Sequence, residues 1–361
     1  MGVIYVTEQN STISKEGARL LIKKDNQVLH TLHSFKIDQI IIFGKVFLTP
    51  AALSYLLTQG IDTAFMTQRG RYIGRLQPPH GKNIVLRREQ FKKMEDPDFC
   101  LKTSRYIVQG KLANLRTILL RLNRTREDIN LDNSILTIRR LIDKVKEAKS
   151  LDSVRGYEGR GTVIYFEGFA KGFLSKDINF QKRVRRPPTD PVNVLLSLGY
   201  TLLLNTVMAS ISMVGFDPYL GTLHALEYGR PSLALDLMEE WRPIIVDSLV
   251  LSIFNLKVLS RDDFAYGIKQ DETEEGLGEE QLTHSEKALD TKEIPAARQI
   301  QLTDGGFRKF IAQFERKMAQ KTRYHLTGDQ LSYRDCIREQ VRHFARYLRG
   351  EDETYIPVPL K

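Results

Sequence analysis

The amino-acid sequence predicts an α+β protein, with a small N-terminal β-rich domain followed by a larger all-helical C-terminal domain. Short β-branched and aromatic runs between polar turns fill residues 1–77, which is typical of strands. Apolar residues recur at helical spacing through most of residues 85–361. Pro78 and Pro79 separate the two patterns, so residues 78–84 are predicted to be a linker.

The β-rich domain contains one predicted helix. Thr49 is suited to its N-cap, Pro50 to its first position and Gly60 to its stop signal. The tripeptide Gln68-Arg-Gly70 lies between two apolar runs and predicts a hairpin turn. Strands are predicted at residues 3–6, 19–23, 28–32, 37–43, 63–66 and 72–76.

The C-terminal domain is predicted to be helical throughout. The stretch from Phe99 to Leu122 shows the pattern best, because Lys and Arg fill the positions between its apolar residues. A run of acidic residues at 271–290 breaks the periodicity, and we expect a mobile loop or insertion there. Helices are predicted at residues 85–95, 99–122, 133–148, 161–174, 192–213, 231–254, 307–318 and 333–348.

Composition and charge narrow the class of protein. With 361 residues, 42% hydrophobic and 27% charged, the chain has the make-up of a globular protein with room for two domains. It has no uninterrupted apolar run of about 20 residues and no signal peptide pattern, so we expect a cytoplasmic protein with no membrane partner. Cys100 and Cys336 do not form a disulfide framework. The net charge of +10 favours a polyanionic partner, with solubility as the alternative explanation.

Residues 224–243 place one imidazole and two carboxylates around a short apolar helix. Ser232 is expected to cap that helix. Asp236 and Glu239 are three residues apart and are expected on one face, within reach of His224 on the preceding connection. Imidazole and carboxylate ligands suit Mn²⁺ or Mg²⁺, and the lack of nearby thiols argues against structural zinc. A solvated helix face is the alternative interpretation of the same spacing.

Glu158 lies beside Gly159 and Gly161 at the start of a predicted helix. The glycines permit close approach of a backbone or a phosphate, and the N–H groups at a helix N-terminus favour anions. Glu158 is therefore either a metal ligand that converges with His224 and Glu239, or an acid that complements the helix dipole.

A basic cluster is formed by Lys182, Arg183, Arg185 and Arg186, which a Pro-Pro pair follows. Four cations in five residues predict a track for nucleic-acid phosphates, with a solvated loop as the alternative. The sequence has no phosphate-binding loop, dinucleotide glycine fingerprint or Gly-x-Ser-x-Gly elbow, so those classes of enzyme are not supported.

Several motifs occur in a recognisable order along nearly the whole chain. They are Leu86-Arg-Arg-Glu-Gln90, Gly110-Lys-Leu-Ala-Asn-Leu-Arg116, Tyr157-Glu158-Gly159, Tyr165-Phe166, Arg186 to Tyr200, Gly215 to His224, Arg230 to Glu239, and Tyr333-Arg334. With these motifs the chain resembles the CRISPR adaptation integrases, the metal-dependent endonucleases that are the first of the CRISPR-associated proteins.

This resemblance implies a site, a reaction and partners. The implied metal ligands are Glu158, His224 and Glu239, with Asp236 as a nearby acidic helper among the catalytic residues, and the division of roles between Asp236 and Glu239 is open. The implied reaction inserts foreign DNA fragments (spacers) into a CRISPR array by attack of a 3′-hydroxyl on a phosphodiester, with Mn²⁺ or Mg²⁺ as cofactor. The implied partners are double-stranded DNA, a second copy of the chain bound through the N-terminal domain, and the small ferredoxin-like second CRISPR-associated protein.

Two other functions remain open from the sequence. One is a non-catalytic DNA-binding scaffold, which the many basic residues alone would explain. The other is a metal-dependent nuclease that acts on branched DNA in repair.

Overall fold

The protein is described here by a computed structural model, which covers residues 2–76, 83–175, 177–184, 188–266 and 300–360. The described chain forms two compact units, one ending before residue 83 and the other beginning there. The first is β-rich and the second is mostly helical, which confirms the predicted α+β fold class. The acidic segment at 271–290 and most of the predicted linker lie outside the described residues.

The described part of the N-terminal unit consists of two four-stranded sheets and one α-helix. Its elements are Gly2–Val6 (β1), Ser11–Glu16 (β2), Arg19–Lys24 (β3), Gln27–His33 (β4), Ile37–Phe43 (β5), Val46–Leu48 (β6), Pro50–Gln59 (α1), Asp62–Met66 (β7) and Tyr72–Leu76 (β8). The first sheet has the order β1-β5-β7-β8, with β8 antiparallel to a parallel trio. The second has the order β4-β3-β2-β6, in which β2 and β6 are parallel.

One hydrophobic core joins both sheets and α1. The β-branched run of β5 lies in the middle of the parallel trio, and its side chains are buried on both faces of the sheet, as is usual for parallel strands. The caps predicted for α1 are confirmed: the Thr49 side chain accepts the Ala52 N–H at 3.3 Å, and Gly60 ends the helix with φ 67°.

The second unit is built from helices and two short antiparallel strand pairs. Its helices are Ile84–Met94 (α2), Pro97–Thr125 (α3), Asp132–Glu147 (α4), Leu151–Ala170 (α5), Pro191–Val214 (α6), Ser232–Met238 (α7), Ser248–Asn255 (α8), Asp304–Ala319 (α9) and Tyr333–Arg349 (α10), with a π-helical segment at Arg242–Asp247. The strand pairs are Phe264–Tyr266 (β9) with Ile300–Leu302 (β10), and Lys321–Arg323 (β11) with Gln330–Ser332 (β12).

The centre of this unit is α6, which is apolar almost all round. Asp190 caps it by accepting the Asn193 N–H at 2.9 Å, Pro191 begins it, and Gly215 ends it in the left-handed conformation. By length and composition α6 is able to cross a membrane, but 83% of its most apolar stretch is buried inside the protein. A helix that is hydrophobic on every side and covered by its neighbours is a core helix.

Two predictions about helix starts are wrong. The helix predicted from residue 161 begins at Leu151, because the Ser150 hydroxyl caps it by accepting the Ser153 N–H at 3.2 Å. Glu158 therefore lies in the middle of α5 and is not an acid at a helix N-terminus. Ser232 does not cap α7 but is its first residue, and its hydroxyl donates to the Ala225 carbonyl at 3.0 Å.

Candidate metal centre

Glu158 lies where α5 packs closely against α3. A Cβ added at Gly161 would be 2.4 Å from Leu112 Cδ2, so the helices approach here only because residue 161 is glycine. At Gly159 an added Cβ would meet nothing within 4 Å. Of the two glycines expected to permit close approach, Gly161 therefore accommodates α3, and only Gly159 leaves open space beside Glu158.

A single carboxylate, Asp236, holds the loop that carries His224. Asp236 Oδ2 accepts the backbone N–H groups of Thr222 and Leu223 at 2.6 and 2.9 Å. Asp236 Oδ1 accepts the His224 N–H at 3.0 Å and lies 2.6 Å from His224 Nδ1. Since an ionised carboxylate only accepts hydrogen bonds, this contact places a proton on Nδ1 and leaves the Nε2 lone pair available in the neutral ring. Asp236 is thus placed to orient the imidazole.

Glu239 stands where α7 gives way to irregular helix. The helix ends at Met238, and Pro243 lies in the π-helical segment that follows. Proline has no N–H to continue an α-helical ladder, and π-helical segments are frequent at functional sites. The Glu239 side chain is buried, with Oε1 3.8 Å from His224 Nε2. Asp236 and Glu239 therefore face the two different nitrogens of one imidazole.

Lys111 of α3 joins the two glutamates, and sequence analysis did not identify it as a site residue. Its ammonium contacts Glu158 Oε1 and lies 2.6 Å from Glu239 Oε2. The residue is only 3% exposed. The available signal was a lysine within a buried apolar stripe of α3, one turn after Ile107 and one turn before Leu115.

Arg242 supplies a second cation to Glu239. Its Nη2 lies 3.3 Å from Glu239 Oε1, and its guanidinium lies 5.0 Å from the centre of the Tyr200 ring. The Tyr200 hydroxyl donates to Asp247 at 2.5 Å, and the Tyr165 hydroxyl donates to the other oxygen of Asp247 at 2.9 Å. Arg242 is thus held on two sides and is a fixed charge.

These contacts control the ionisation of the buried groups. Burial opposes the ionisation of Glu239, but the charges of Arg242 and Lys111 outweigh it and hold the Glu239 pKa well below its usual value. Burial also disfavours the charged form of Lys111, yet the two glutamates raise the pKa of the ammonium above its usual value. Lys111 and Glu239 therefore both stay charged at neutral pH.

The donor types at this site fit Mn²⁺ or Mg²⁺, but the carboxylates already hold a cation. Within the residues that the structure describes, no three His, Cys, Asp or Glu side chains are arranged to hold a metal ion. At this site the Lys111 ammonium contacts both glutamates. The fit rests on His224, whose Nε2 lone pair faces a carboxylate oxygen, an arrangement that a cation stabilises.

The C-terminal segment supports the part of α3 that carries Lys111. A Cβ added at Gly110 would be 2.2 Å from Pro357 Cβ. Asn114 Nδ2 donates to the Val358 carbonyl at 2.8 Å and to the Glu240 carbonyl at 2.9 Å. Residues 355–360 thus pack against α3 on both sides of Lys111, a contact that no sequence pattern indicated.

The predicted basic cluster is divided by the structure. Lys182 is exposed, whereas Arg183 turns inward, donating to Asn193 Oδ1 and to Ser197 Oγ, each at 2.9 Å. Arg185 and Arg186 lie outside the described residues. The nucleic-acid-binding role of all four stays a prediction.

Comparison with known proteins places the chain in a family. The family described as CRISPR associated protein Cas1 matches residues 4–274. The CRISPR-associated endonuclease Cas1 3 of Thermus thermophilus is 32% identical over 363 residues, which cover 100% of this chain and 98% of the relative.

Solved structures show the same fold. A casposase bound to integration product is similar with a TM-score of 0.80 at 24% identity, over 99% of this chain and 93% of the casposase. A Cas6-RT-Cas1–Cas2 complex is similar with a TM-score of 0.79 at 24% identity, over 100% of this chain and 36% of that one. With a family match over more than half of its length and a relative at 32% identity over its whole length, this chain belongs to the Cas1 family of CRISPR-associated proteins.

Proposed function

We propose that this chain is a metal-dependent DNA endonuclease and integrase, which inserts DNA fragments into a CRISPR array by attack of a 3′-hydroxyl on a phosphodiester. One observation carries the proposal: His224 is oriented by Asp236 through one ring nitrogen and faces Glu239 with the other. Such a carboxylate–histidine pair is typical of metal sites. The endonuclease name of the Thermus relative supports the nuclease activity.

The residues of the site have separate roles in this proposal. Glu158, His224 Nε2 and Glu239 would hold the ion. When bound, Mn²⁺ or Mg²⁺ polarises the scissile phosphodiester and activates the attacking hydroxyl or water. Asp236 keeps the imidazole in one orientation and one tautomer. Arg242, held by Tyr200 and Glu239, adds a fixed positive charge beside the negative charge that develops during the displacement.

The proposed substrate is double-stranded DNA, and the proposed assembly is a homodimer with the small second CRISPR-associated protein. A net charge of +10 supports a polyanionic substrate. One structural neighbour was solved as a complex of Cas1 with Cas2, which supports the choice of protein partner. Lys182 is exposed and can contact phosphates. The Arg183 guanidinium is instead hydrogen-bonded to Asn193 and Ser197 of α6.

A second candidate function is a DNA-binding scaffold without catalysis. The observation that favours it is the contact of Lys111 with both glutamates, which supplies a compensating cation without a metal ion. A scaffold of this kind would bind DNA in a salt-dependent manner that does not depend on divalent ions, and it would join no DNA.

Strand transfer tests the proposal directly. A short duplex with free 3′-hydroxyls is incubated with a supercoiled plasmid that carries a repeat, in Mn²⁺ or chelator, with and without the small partner. We expect joined product only with metal, at least 100-fold less with Glu158→Ala, and unchanged with Glu167→Ala, a matched control at an exposed glutamate of α5. Binding without joining in every condition would favour the scaffold. Cleavage that is indifferent to the partner would favour a repair nuclease.

A further inference from the structure

We infer that Lys111 is an internal cation that competes with the divalent ion for Glu158 and Glu239, so that metal binding requires the ammonium to leave the position where it contacts both. This inference rests on the proposed metal-dependent function. It adds a residue that controls metal occupancy to the three proposed ligands.

The first support is the position of the ammonium. Glu158 comes from the middle of α5 and Glu239 from the end of α7, and the two carboxylates are joined by Lys111 of α3. Lys111 and Glu239 are each 3% exposed, so water compensates their charges very little, whereas Glu158 is partly exposed. An ammonium between these two carboxylates stands where a metal ion with the same two ligands would bring its charge.

The second support is the charge balance of the cluster. Two anions, Glu158 and Glu239, are matched by two cations, Lys111 and Arg242. A divalent ion added to this balanced set would repel both cations at short range, where screening by water is weak. Removing Lys111 from the pair leaves one negative charge uncompensated, which favours the incoming ion.

The third support is the difference between the two cations. Arg242 is held by the Tyr200 ring as well as by Glu239. Lys111 has a flexible four-carbon stem, and the contacts of its ammonium in the structure are with the two glutamates. Within the described part of the chain, Lys111 is therefore the cation whose ammonium can leave without loss of another polar contact, and Arg242 is the one that stays.

The test measures Mn²⁺ affinity by titration calorimetry on the full chain, comparing wild type with Lys111→Met. Lys309→Met is the matched control, because Lys309 also pairs with a carboxylate of low exposure, Asp263, at 2.8 Å. We expect Lys111→Met to bind Mn²⁺ about ten-fold more tightly or better, and Lys309→Met to bind like wild type. Glu158→Gln, which removes one proposed ligand, should weaken binding in both backgrounds.

Thermal unfolding gives a second readout on the same proteins. In chelator, Lys111→Met should melt below wild type, because buried Glu239 and half-buried Glu158 then lie together with less compensation. Saturating Mn²⁺ should raise its melting temperature by more than that of wild type. Equal or weaker Mn²⁺ affinity in Lys111→Met, with binding still dependent on Glu158, would overturn this inference and leave the proposed function intact. No Mn²⁺ binding in any protein would overturn both.

Wild-type crystals soaked in Mn²⁺ keep the inference testable if Lys111→Met does not fold. An anomalous peak at Glu158 and Glu239, with Lys111 Nζ moved away from at least one of them, is the expected result. A peak there with the ammonium still contacting both carboxylates would contradict it.

Discussion

The two halves of the site are stabilised by different kinds of groups. The imidazole half consists of His224 and Asp236, and Asp236 is held by three backbone N–H groups. The carboxylate half consists of Glu158 and Glu239, which are compensated by the side-chain cations Lys111 and Arg242. Backbone dipoles are fixed by the fold, whereas a side-chain cation can be exchanged for another one. The comparison shows that the fold fixes the orientation of the imidazole. The cations that compensate the two glutamates, in contrast, can be exchanged.

The largest effect is expected from Asp236→Ala, which removes the carboxylate of the imidazole half. It leaves the N–H groups of Thr222, Leu223 and His224 without their acceptor, each at a cost of about 1–3 kcal/mol when buried. We expect the free energy of unfolding to fall by about 3 kcal/mol or more, as measured by urea titration.

The loss from Asp236→Ala should be at least as large in Mn²⁺ as in chelator, because a metal ion cannot replace an acceptor of backbone N–H groups. This is the opposite of the behaviour expected for Lys111→Met. If Mn²⁺ restored the free energy of unfolding of Asp236→Ala as well, the distinction between the two halves would be wrong.

A smaller effect is expected from Gly110→Ala, which disturbs the support of Lys111. The new Cβ would lie 2.2 Å from Pro357 Cβ, so the C-terminal segment must shift, at a cost of about 1–3 kcal/mol. The matched control is Gly156→Ala on α5, where an added Cβ meets nothing within 4 Å. There we expect a gain of up to about 1 kcal/mol from helix propensity. Denaturant midpoints that move in the same direction in both variants would contradict this packing.

The smallest effect concerns His343, which ties the C-terminal segment to α10. Its Nδ1 lies 2.8 Å from Asp352 Oδ2, and its Nε2 accepts the Ile356 N–H at 2.9 Å. Burial lowers the pKa of His343 below 6.5 despite the opposing effect of Asp352. Because the folded pKa lies below the unfolded one, the stability from the neutral ring is complete above pH 6.5 and is lost as the pH falls through the folded pKa.

Wild type should therefore lose more free energy of unfolding than His343→Gln when the pH falls from about 7.5 to about 5. Glu240 has the opposite linkage, since burial raises its pKa to about 8, but it is present in both proteins. The difference between their urea curves at the two pH values therefore isolates His343. Parallel curves would show that its ring is not neutral in the folded protein.

Much of the fold was predictable because its elements are strongly periodic. The strand Ile37–Phe43 and the helices α3, α6 and α10 follow from apolar runs, proline starts and glycine stops. The strand β2 was missed because Ser-Thr-Ile-Ser-Lys-Glu has a single large apolar residue. The start of α5 was missed because three glycines interrupt its first turns, and tertiary packing against α3 overrides their low helix propensity.

The site was predictable in its members but not in its arrangement. The structure brings Glu158, His224, Asp236 and Glu239 together, and their roles in metal binding and catalysis stay predictions. The orienting position of Asp236 depends on the backbone of Thr222 and Leu223, which no spacing rule indicates. Lys111 lies 47 residues before Glu158, so only the packing of α3 against α5 reveals their contact.

The central claim is that an imidazole oriented by Asp236 serves a metal-dependent strand transfer. Its most direct test is His224→Ala, measured in parallel for joining of a 3′-hydroxyl duplex to a repeat-bearing plasmid in Mn²⁺ and for affinity to the same duplex. We predict that joining is abolished while duplex affinity stays close to that of wild type, because the ring serves the reaction and the basic surface serves binding. Joining at the wild-type rate by His224→Ala would contradict the account.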